Sequence, residues 1–496
     1  MARSLMVWGT SSGAGKSLLC TAICRWASRR GIDVAPFKAQ NMSNNARVVP
    51  GPQGEYGEIG AAQYFQALAA RVQPTVDMNP VLLKPERDTA SQVVLQGCVR
   101  HDLSRLAWRE RSRILAVAAR ESFLRVHDRH ALVVIEGAGS PAEINLAEHD
   151  YVNLDTARWA QAAGTLHSLL VSDIDRGGAF AHLYGTWALL PPELRDTLRG
   201  FVLNKFRGDP ALLSPGPELL RGQTGVPVVA VLPMRRGHGL PEEDGLFDPS
   251  ATQGQGPVRQ RVAVLAYPRM SNIDEFTPLR HVPGLQLLWA RDVAALQGAD
   301  WIVLPGSKQV SADLRWLRER ALDEAVARHA LQGGRVLGIC GGLQMLGAEL
   351  HDPQGVDGEP GSSVGLGLLP LRTRYKAPKR VLAVQARFAG LRPPWQKLDA
   401  IELTGYEIRN GVTEPGPDGA READAGVVLR DALGTAIGWQ RGTVLGVYAH
   451  GLFESHAVMR GLFDAQVPTP DAAFDALADL AQACFAPDTL ERWLQP

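Results

Sequence analysis

Apolar residues in this chain fall into short runs that stop abruptly at a glycine or a polar residue. Leu5 to Trp8, Leu132 to Ile135, Leu169 to Val171, Phe201 to Leu203 and Val226 to Val231 read as strands, and helical stretches separate them, the first reaching about Arg30. Such alternation requires a mostly parallel sheet with helices on both faces. Between 237 and 257 glycine, proline and acidic residues concentrate, and that segment reads as a linker. A second α/β series opens at Val262-Ala263-Val264-Leu265-Ala266. From about Gly358 to Gly442 the chain is glycine-rich with short β-like runs, and from Phe453 onward it reads as helical. The pattern therefore predicts two α/β domains, 1–236 and 258–496, the second ending in helices, with no internal repeat.

In the second series the strand ends carry the chemistry. Val336-Leu337-Gly338-Ile339 stops at Cys340, followed by Gly341-Gly342 and an apolar stretch able to continue as a helix. This is the pattern of a nucleophile elbow, in which a tight turn presents a thiol at a helix N-terminus that lowers its pKa. Val444-Leu445-Gly446-Val447-Tyr448-Ala449 likewise ends at His450-Gly451, and Trp301-Ile302-Val303-Leu304 runs into Pro305-Gly306. Taken singly, these are also what a buried structural cysteine, a core histidine and a simple turn look like. Together they supply a nucleophile, a base and, in the amides of Gly306 and Gly341, an oxyanion hole.

Residues from about 260 to 455 resemble the class I glutamine amidotransferases, which release ammonia from glutamine through a cysteinyl thioester. The resemblance implies Cys340 as nucleophile, His450 as base, and Gly306 and Gly341 as oxyanion donors. One position departs: where the family pattern has Glu two residues after the histidine, this chain has Leu452. That departure resembles the subfamily working with a Cys–His pair. Glu454 is near in sequence, but nothing in the sequence brings it to His450.

The chain begins with an apolar strand leading into Gly9-Thr10-Ser11-Ser12-Gly13-Ala14-Gly15-Lys16-Ser17 and a helix. Backbone amides of such a loop wrap phosphate oxygens, Lys16 neutralises the outer phosphates, and the Ser17 hydroxyl is placed to ligate Mg2+. The spacing with Gly9 and Thr10 resembles the dethiobiotin-synthetase-like P-loop enzymes, which phosphorylate a carboxylate or carbamate with ATP. That resemblance implies three further roles at strand ends. Lys38 would lie against the transferred phosphoryl group, Glu136 would bind magnesium, and Asn204 would read the adenine. Without it, Lys38 and Glu136 are as well explained by an ion pair, and Asn204 by a turn.

Three segments point to a narrower family. Lys38-Ala39-Gln40-Asn41-Met42-Ser43-Asn44-Asn45, Gly139-Ser140-Pro141-Ala142-Glu143-Ile144-Asn145-Leu146 and Ser172-Asp173-Ile174-Asp175-Arg176-Gly177-Gly178 resemble the cobyric acid synthases over nearly the whole chain. The resemblance implies amidation of the b, d, e and g carboxylates of adenosylcobyrinic acid a,c-diamide, with ATP, Mg2+, L-glutamine and the corrinoid as small-molecule partners. Asn41, Asn44 and Asn45 offer donors and acceptors for carboxylates and amides, and Asp173 and Asp175 could hold magnesium or the acceptor, or cap the next helix. The alternative with similar architecture is cobyrinic acid a,c-diamide synthase.

Composition changes little. At 496 residues the chain exceeds one ordinary domain. Lys plus Arg and Asp plus Glu stand at 52 each, so no net charge favours nucleic acid or a membrane surface. The cysteines, at 20, 24, 98, 340 and 484, are odd in number and scattered, which suits a reducing cytoplasm. Cys20 and Cys24 sit four apart in the first helix, where packing is the ordinary reason. The first strand leads straight into the phosphate loop, so no removable signal peptide is expected, and no apolar run nears the ~20 residues of a membrane span.

Overall fold

Strands buried on both faces have no polar side to show, and the apolar runs of the first series form one parallel sheet. The computed structural model describes residues 2–87, 90–235, 257–416, 426–466 and 468–494. These divide into two units: residues 2–43, 49–235 and 469–494 make the first, and 44–48, 257–416, 426–466 and 468 the second. The expected linker lies outside the described residues except for Pro257.

In the first unit β1 (Arg3–Gly9), β2 (Val34–Phe37), β3 (Leu132–Glu136), β4 (Thr165–Asp173), β5 (Leu198–Phe206) and β6 (Val228–Pro233) lie in the order β6-β5-β4-β1-β3-β2. Every pairing is parallel. Leu5, Met6, Val7 and Trp8 of β1 are wholly buried. Successive strands are added on one side of β1 to reach β2 and on the other to reach β4, β5 and β6, so the C-terminal end of β1 borders the crevice where ligands bind in such sheets. Helix α1 (Lys16–Arg29) leaves that end, and α2 (Ala61–Ala70) packs beside it.

The second unit has a nine-stranded sheet. Its strands are β7 (Gln260–Leu265), β8 (Leu285–Ala290), β9 (Trp301–Leu304), β10 (Arg335–Ile339), β11 (Arg380–Phe388), β12 (Glu402–Arg409), β13 (Gly426–Asp431), β14 (Ala436–Arg441) and β15 (Val444–Val447). The order is β8-β7-β9-β10-β15-β14-β13-β11-β12. The first five pair in parallel and the rest are antiparallel, so the glycine-rich stretch after Cys340 adds an antiparallel wing to a parallel core. Short α3 (Gly341–Leu346) follows β10 directly.

Two segments group differently from the division read off the sequence. Helix α4 (Pro470–Cys484), near the C-terminal end, buries Phe474, Leu477, Ala478 and Ala481, one helical stripe, in the same apolar cluster as Leu19, Cys20, Ile23, Cys24 and Ala27 of α1. The buried Arg25 pairs with Asp471, and Arg29 pairs with Asp479 at 2.6 Å. Residues 469–494 thus belong with the first unit, although the sequence division carried the second domain through to 496. Periodicity shows that a helix needs an apolar partner without showing which partner. Conversely, residues 44–48 belong with the second unit.

Candidate active sites

At the end of β10, Cys340 has φ 52° and ψ −107°, a backbone conformation that side chains rarely adopt. The surrounding contacts impose it. A Cβ on Gly342 would lie 1.9 Å from the Leu304 carbonyl oxygen, and one on Gly338 would lie 2.7 Å from the Gly342 carbonyl carbon. Only glycine allows α3 to start this close to β9 and β10, and the tight turn leaves the thiol at the strand end. Cys340 is almost wholly buried, with Sγ 3.5 Å from the Ile408 carbonyl oxygen. The other expected groups are close by. A Cβ on Gly341 would stand 2.7 Å from the Ser307 amide nitrogen, and one on Gly306 would stand 3.2 Å from His450 Cε1. The elbow, the Gly306 turn and the imidazole are thereby brought into one place.

His450 has a partner that its sequence neighbours do not provide. Leu452 is buried, and Glu454 pairs with Arg47 at 2.6 Å. Instead, His450 Nδ1 lies 3.1 Å from Glu275 Oε1, and the Gly451 amide donates to Glu275 Oε2 at 3.3 Å. Both side chains are buried. The Cys340 thiol acts on the ring by both charge and hydrogen bond, and Nε2 has no other partner among the described residues. Burial alone would lower the imidazole pKa, but the Glu275 carboxylate and Cys340 outweigh it and raise it to about 10. Tyr406 stacks on the ring at 5.2 Å. Glu275 was missed in the sequence because it stands 175 residues from His450; its only signal is an acidic pair, Asp274-Glu275, set between the apolar Ile273 and Phe276.

In the first unit, polar groups converge on Glu136, a wholly buried carboxylate at the end of β3. Ser17 Oγ donates to Oε1 at 2.9 Å and Lys38 Nζ at 2.8 Å, while Gln66 Nε2 and Gln63 Nε2 donate to Oε2 at 2.5 and 3.3 Å. The two glutamines, three apart on α2, were also missed; polar residues at that spacing in an apolar helix are the signal. Lys16 Nζ donates to the carbonyls of Ser11 (3.0 Å) and Gly139 (3.1 Å), which curls it over the loop. A Cβ on Gly9 would lie 2.9 Å from Lys16 Nζ and 3.1 Å from the Ser11 carbonyl oxygen, so a side chain there would push the lysine off its place over the loop. Gly13 and Gly15 have φ of 69° and 101°, the left-handed region glycine favours. Thr10 Oγ1 donates to Ser172 Oγ at 3.1 Å, tying the loop to β4. Asn204 Nδ2 donates to the Ala14 carbonyl at 2.8 Å, so its amide braces the loop.

Both halves also match described families. Residues 5–244 match the CobQ/CobB/MinD/ParA nucleotide binding domain, and residues 261–458 match the CobB/CobQ-like glutamine amidotransferase domain. A cobyric acid synthase of Methylibium petroleiphilum is 59% identical, covering 99% of this chain and 97% of its own. Those of Leptothrix cholodnii and Paracidovorax citrulli are 57% and 58% identical, covering 100% and 98% of this chain and 98% of their own in both cases. The chain belongs to the cobyric acid synthase family. It is a glutamine-hydrolysing, ATP-dependent ligase of small molecules, and its first half binds nucleotide. Such relatives do not favour the a,c-diamide synthase alternative. A solved glutamine amidotransferase is 19% identical and covers 44% of this chain and 98% of its own, with a TM-score of 0.30.

The residues proposed from cobyric acid synthase motifs do not stay together. Asn41 Nδ2 donates to Gln63 Oε1 at 3.2 Å, one bond removed from Glu136. Asn44 and Asn45 lie in the second unit, where the Asn44 carbonyl accepts from the Asn272 amide (3.4 Å) and Asn45 Oδ1 accepts from the Ile273 amide (3.0 Å). Asp173 pairs with Lys205 at 2.9 Å and Arg176 at 3.4 Å, and its Oδ1 accepts from the Asp175 amide at 3.0 Å, a capping contact. Asp175 pairs with Arg207. Among the described residues no helix is long and apolar enough to cross a membrane.

Proposed function

We propose that this member of the cobyric acid synthase family amidates the b, d, e and g carboxylates of adenosylcobyrinic acid a,c-diamide, using ammonia from glutamine and phosphoryl groups from ATP. The observation that carries the reading is the coexistence in one chain of two complete polar constellations. One is Cys340 with His450, Glu275 and the Gly306 and Gly341 turns; the other is the phosphate loop with Lys16, Ser17, Lys38 and Glu136.

In the second unit Cys340 sulfur attacks the side-chain carbonyl carbon of glutamine. The amides at Gly306 and Gly341 hold the developing oxyanion, and His450 gives its proton to the departing nitrogen. Ammonia leaves, and water, deprotonated by His450, clears the thioester to glutamate and free thiol. Glu275 accepts from Nδ1–H throughout, fixing the tautomer and steadying the imidazolium.

In the first unit the loop amides and Lys16 cradle the ATP phosphates, and Lys38 stands ready to neutralise the transferred γ-phosphoryl group. Ser17 Oγ, 2.9 Å from Glu136 Oε1, forms with it a pair of hard oxygen donors that fits Mg2+. When bound, the ion would offset phosphate charge. A corrinoid carboxylate oxygen takes the γ-phosphoryl, ADP leaves, and ammonia displaces phosphate from the acyl phosphate to give the carboxamide. Asn204 and Thr10 hold the loop in shape, Asn41 buttresses the Glu136 network through Gln63, and Asp173 and Asp175 orient Lys205, Arg176 and Arg207 at the ends of β4 and β5. Scattered free cysteines and the use of ATP support a cytoplasmic setting for the reaction.

Product mass tests the assignment. With ATP, glutamine and the a,c-diamide, the product carries four new amides. An enzyme that leaves the a,c-diamide untouched and instead places two amides on cobyrinic acid would contradict the reading.

A further inference from the structure

Residues 44–47 come from the nucleotide-binding half of the sequence yet are built into the glutaminase unit. The Asn44 carbonyl and the Asn45 side chain accept from the amides of Asn272 and Ile273, and the Ala46 amide donates to Asn272 Oδ1 at 3.1 Å. Asn272 sits at φ 54°, and these bonds hold its turn in place. The turn opens the 3-10 stretch Ile273–His281 that carries Asp274 and Glu275.

Arg47 completes the arrangement. Its side chain is 2% exposed and pairs with Asp274, itself wholly buried, and with Glu454 at 2.6 Å. Its guanidinium lies 5.1 Å from the centre of the Tyr406 ring, the same ring that stacks on His450. The His450 amide donates to the Tyr406 carbonyl at 2.9 Å. Arg47 therefore reaches the catalytic imidazole by two routes, through Asp274 beside Glu275 and through Tyr406. Asp274, Glu275 and Glu454 bring three carboxylates to bear on Tyr406, the ring stacked on His450. A guanidinium fork between two of them offsets their repulsion and fixes the 3-10 stretch more tightly than an ammonium could.

We propose that Arg47 is a positioning residue for glutamine hydrolysis, holding Asp274 and Tyr406 so that Glu275 and His450 keep their alignment toward Cys340. The glutaminase therefore depends on a segment that follows directly in the chain on Lys38 to Ser43. A piece beginning after residue 257 contains Cys340, His450 and Glu275 but lacks this brace.

The inference rests on Cys340 and His450 being the glutaminase pair, and the test separates the two claims. Full-length R47M and R47K are compared with wild type for glutamate release and for amidation driven by added ammonia. R47M is expected to lose about 10–100-fold in kcat for glutamate release, the usual effect of removing a group that orients a catalytic ligand. Its KM for glutamine and its ammonia-driven rate stay near wild type, and R47K recovers much of the loss. Wild-type kcat in R47M would overturn the role of Arg47. So would equal loss of the ammonia-driven rate with no recovery in R47K, because that pattern belongs to a structural residue. If R47M does not fold, R47K and D274N decide: wild-type kcat in D274N overturns the proposal, and a kcat loss there exceeding that of R47K supports it. Glutamate release persisting in C340A would instead sink the underlying assignment.

Discussion

His450 shows how much a single contact decides. Its raised pKa, about 10, reflects Glu275 and Cys340 overcoming burial. The sign follows directly. Relative to an unfolded value near 6.5, a raised histidine contributes stability that is fully present below about 6.5 and lost as pH rises through about 10. The basic limb of glutamate release is accordingly expected near pH 10 in the wild type. In E275Q that limb moves toward neutrality, and kcat falls by about 10²–10⁴-fold, as when a histidine loses its orienting carboxylate. A pH profile of glutamate release checks both; an unmoved limb would remove Glu275 from the site. Cys340 and His450 were legible because each ends an apolar run alone. Glu275 was not, since its relation to His450 exists only after β7, β9, β10 and β15 have come together. Asn45 shows a related ambiguity: a short amide can hold a ligand or its own backbone neighbours, and here its side chain accepts from the Ile273 amide.

Among the elements, the elbow is the most constrained. Gly342 faces the Leu304 carbonyl so closely that G342A must displace β9 or α3. The expected cost is about 1–3 kcal/mol, typical of overpacking, with glutamate release lost because the thiol moves. Thermal unfolding together with a glutaminase assay reads both. The strand–turn–helix units were legible because their apolar runs end at glycines with a fixed purpose, and the phosphate loop was legible for the same reason. The partner of α4 was not. L477A, which removes a side chain from the cluster shared with α1, is expected to cost about 2–5 kcal/mol. In calorimetry it should lower the transition that ATP raises. A drop confined to the transition insensitive to ATP would contradict the grouping of α4 with the first unit.

At the scale of the whole molecule, two α/β units carry two chemistries joined by one product, ammonia. The division into two α/β series was legible from alternating apolar runs and a glycine- and proline-rich break. The exchange of segments was not: residues 44–48 and 469–494 each belong with the unit on the other side of that break, and short-range pattern carries no information about contacts across hundreds of residues. In the proposed mechanism Lys16 serves phosphoryl transfer, the step that both nitrogen sources share. K16A should therefore depress amidation with glutamine and with ammonia alike, and unchanged ammonia-driven turnover would remove the phosphate loop from the reaction. The most direct test of the division of labour is amide formation by C340A on adenosylcobyrinic acid a,c-diamide, followed by mass with each nitrogen source. The account predicts that glutamine-dependent amidation falls by about 10⁴-fold or more while added ammonia still supports it. Amidation by C340A from glutamine at the wild-type rate, or no rescue by ammonia in a folded, ATP-binding variant, would contradict it.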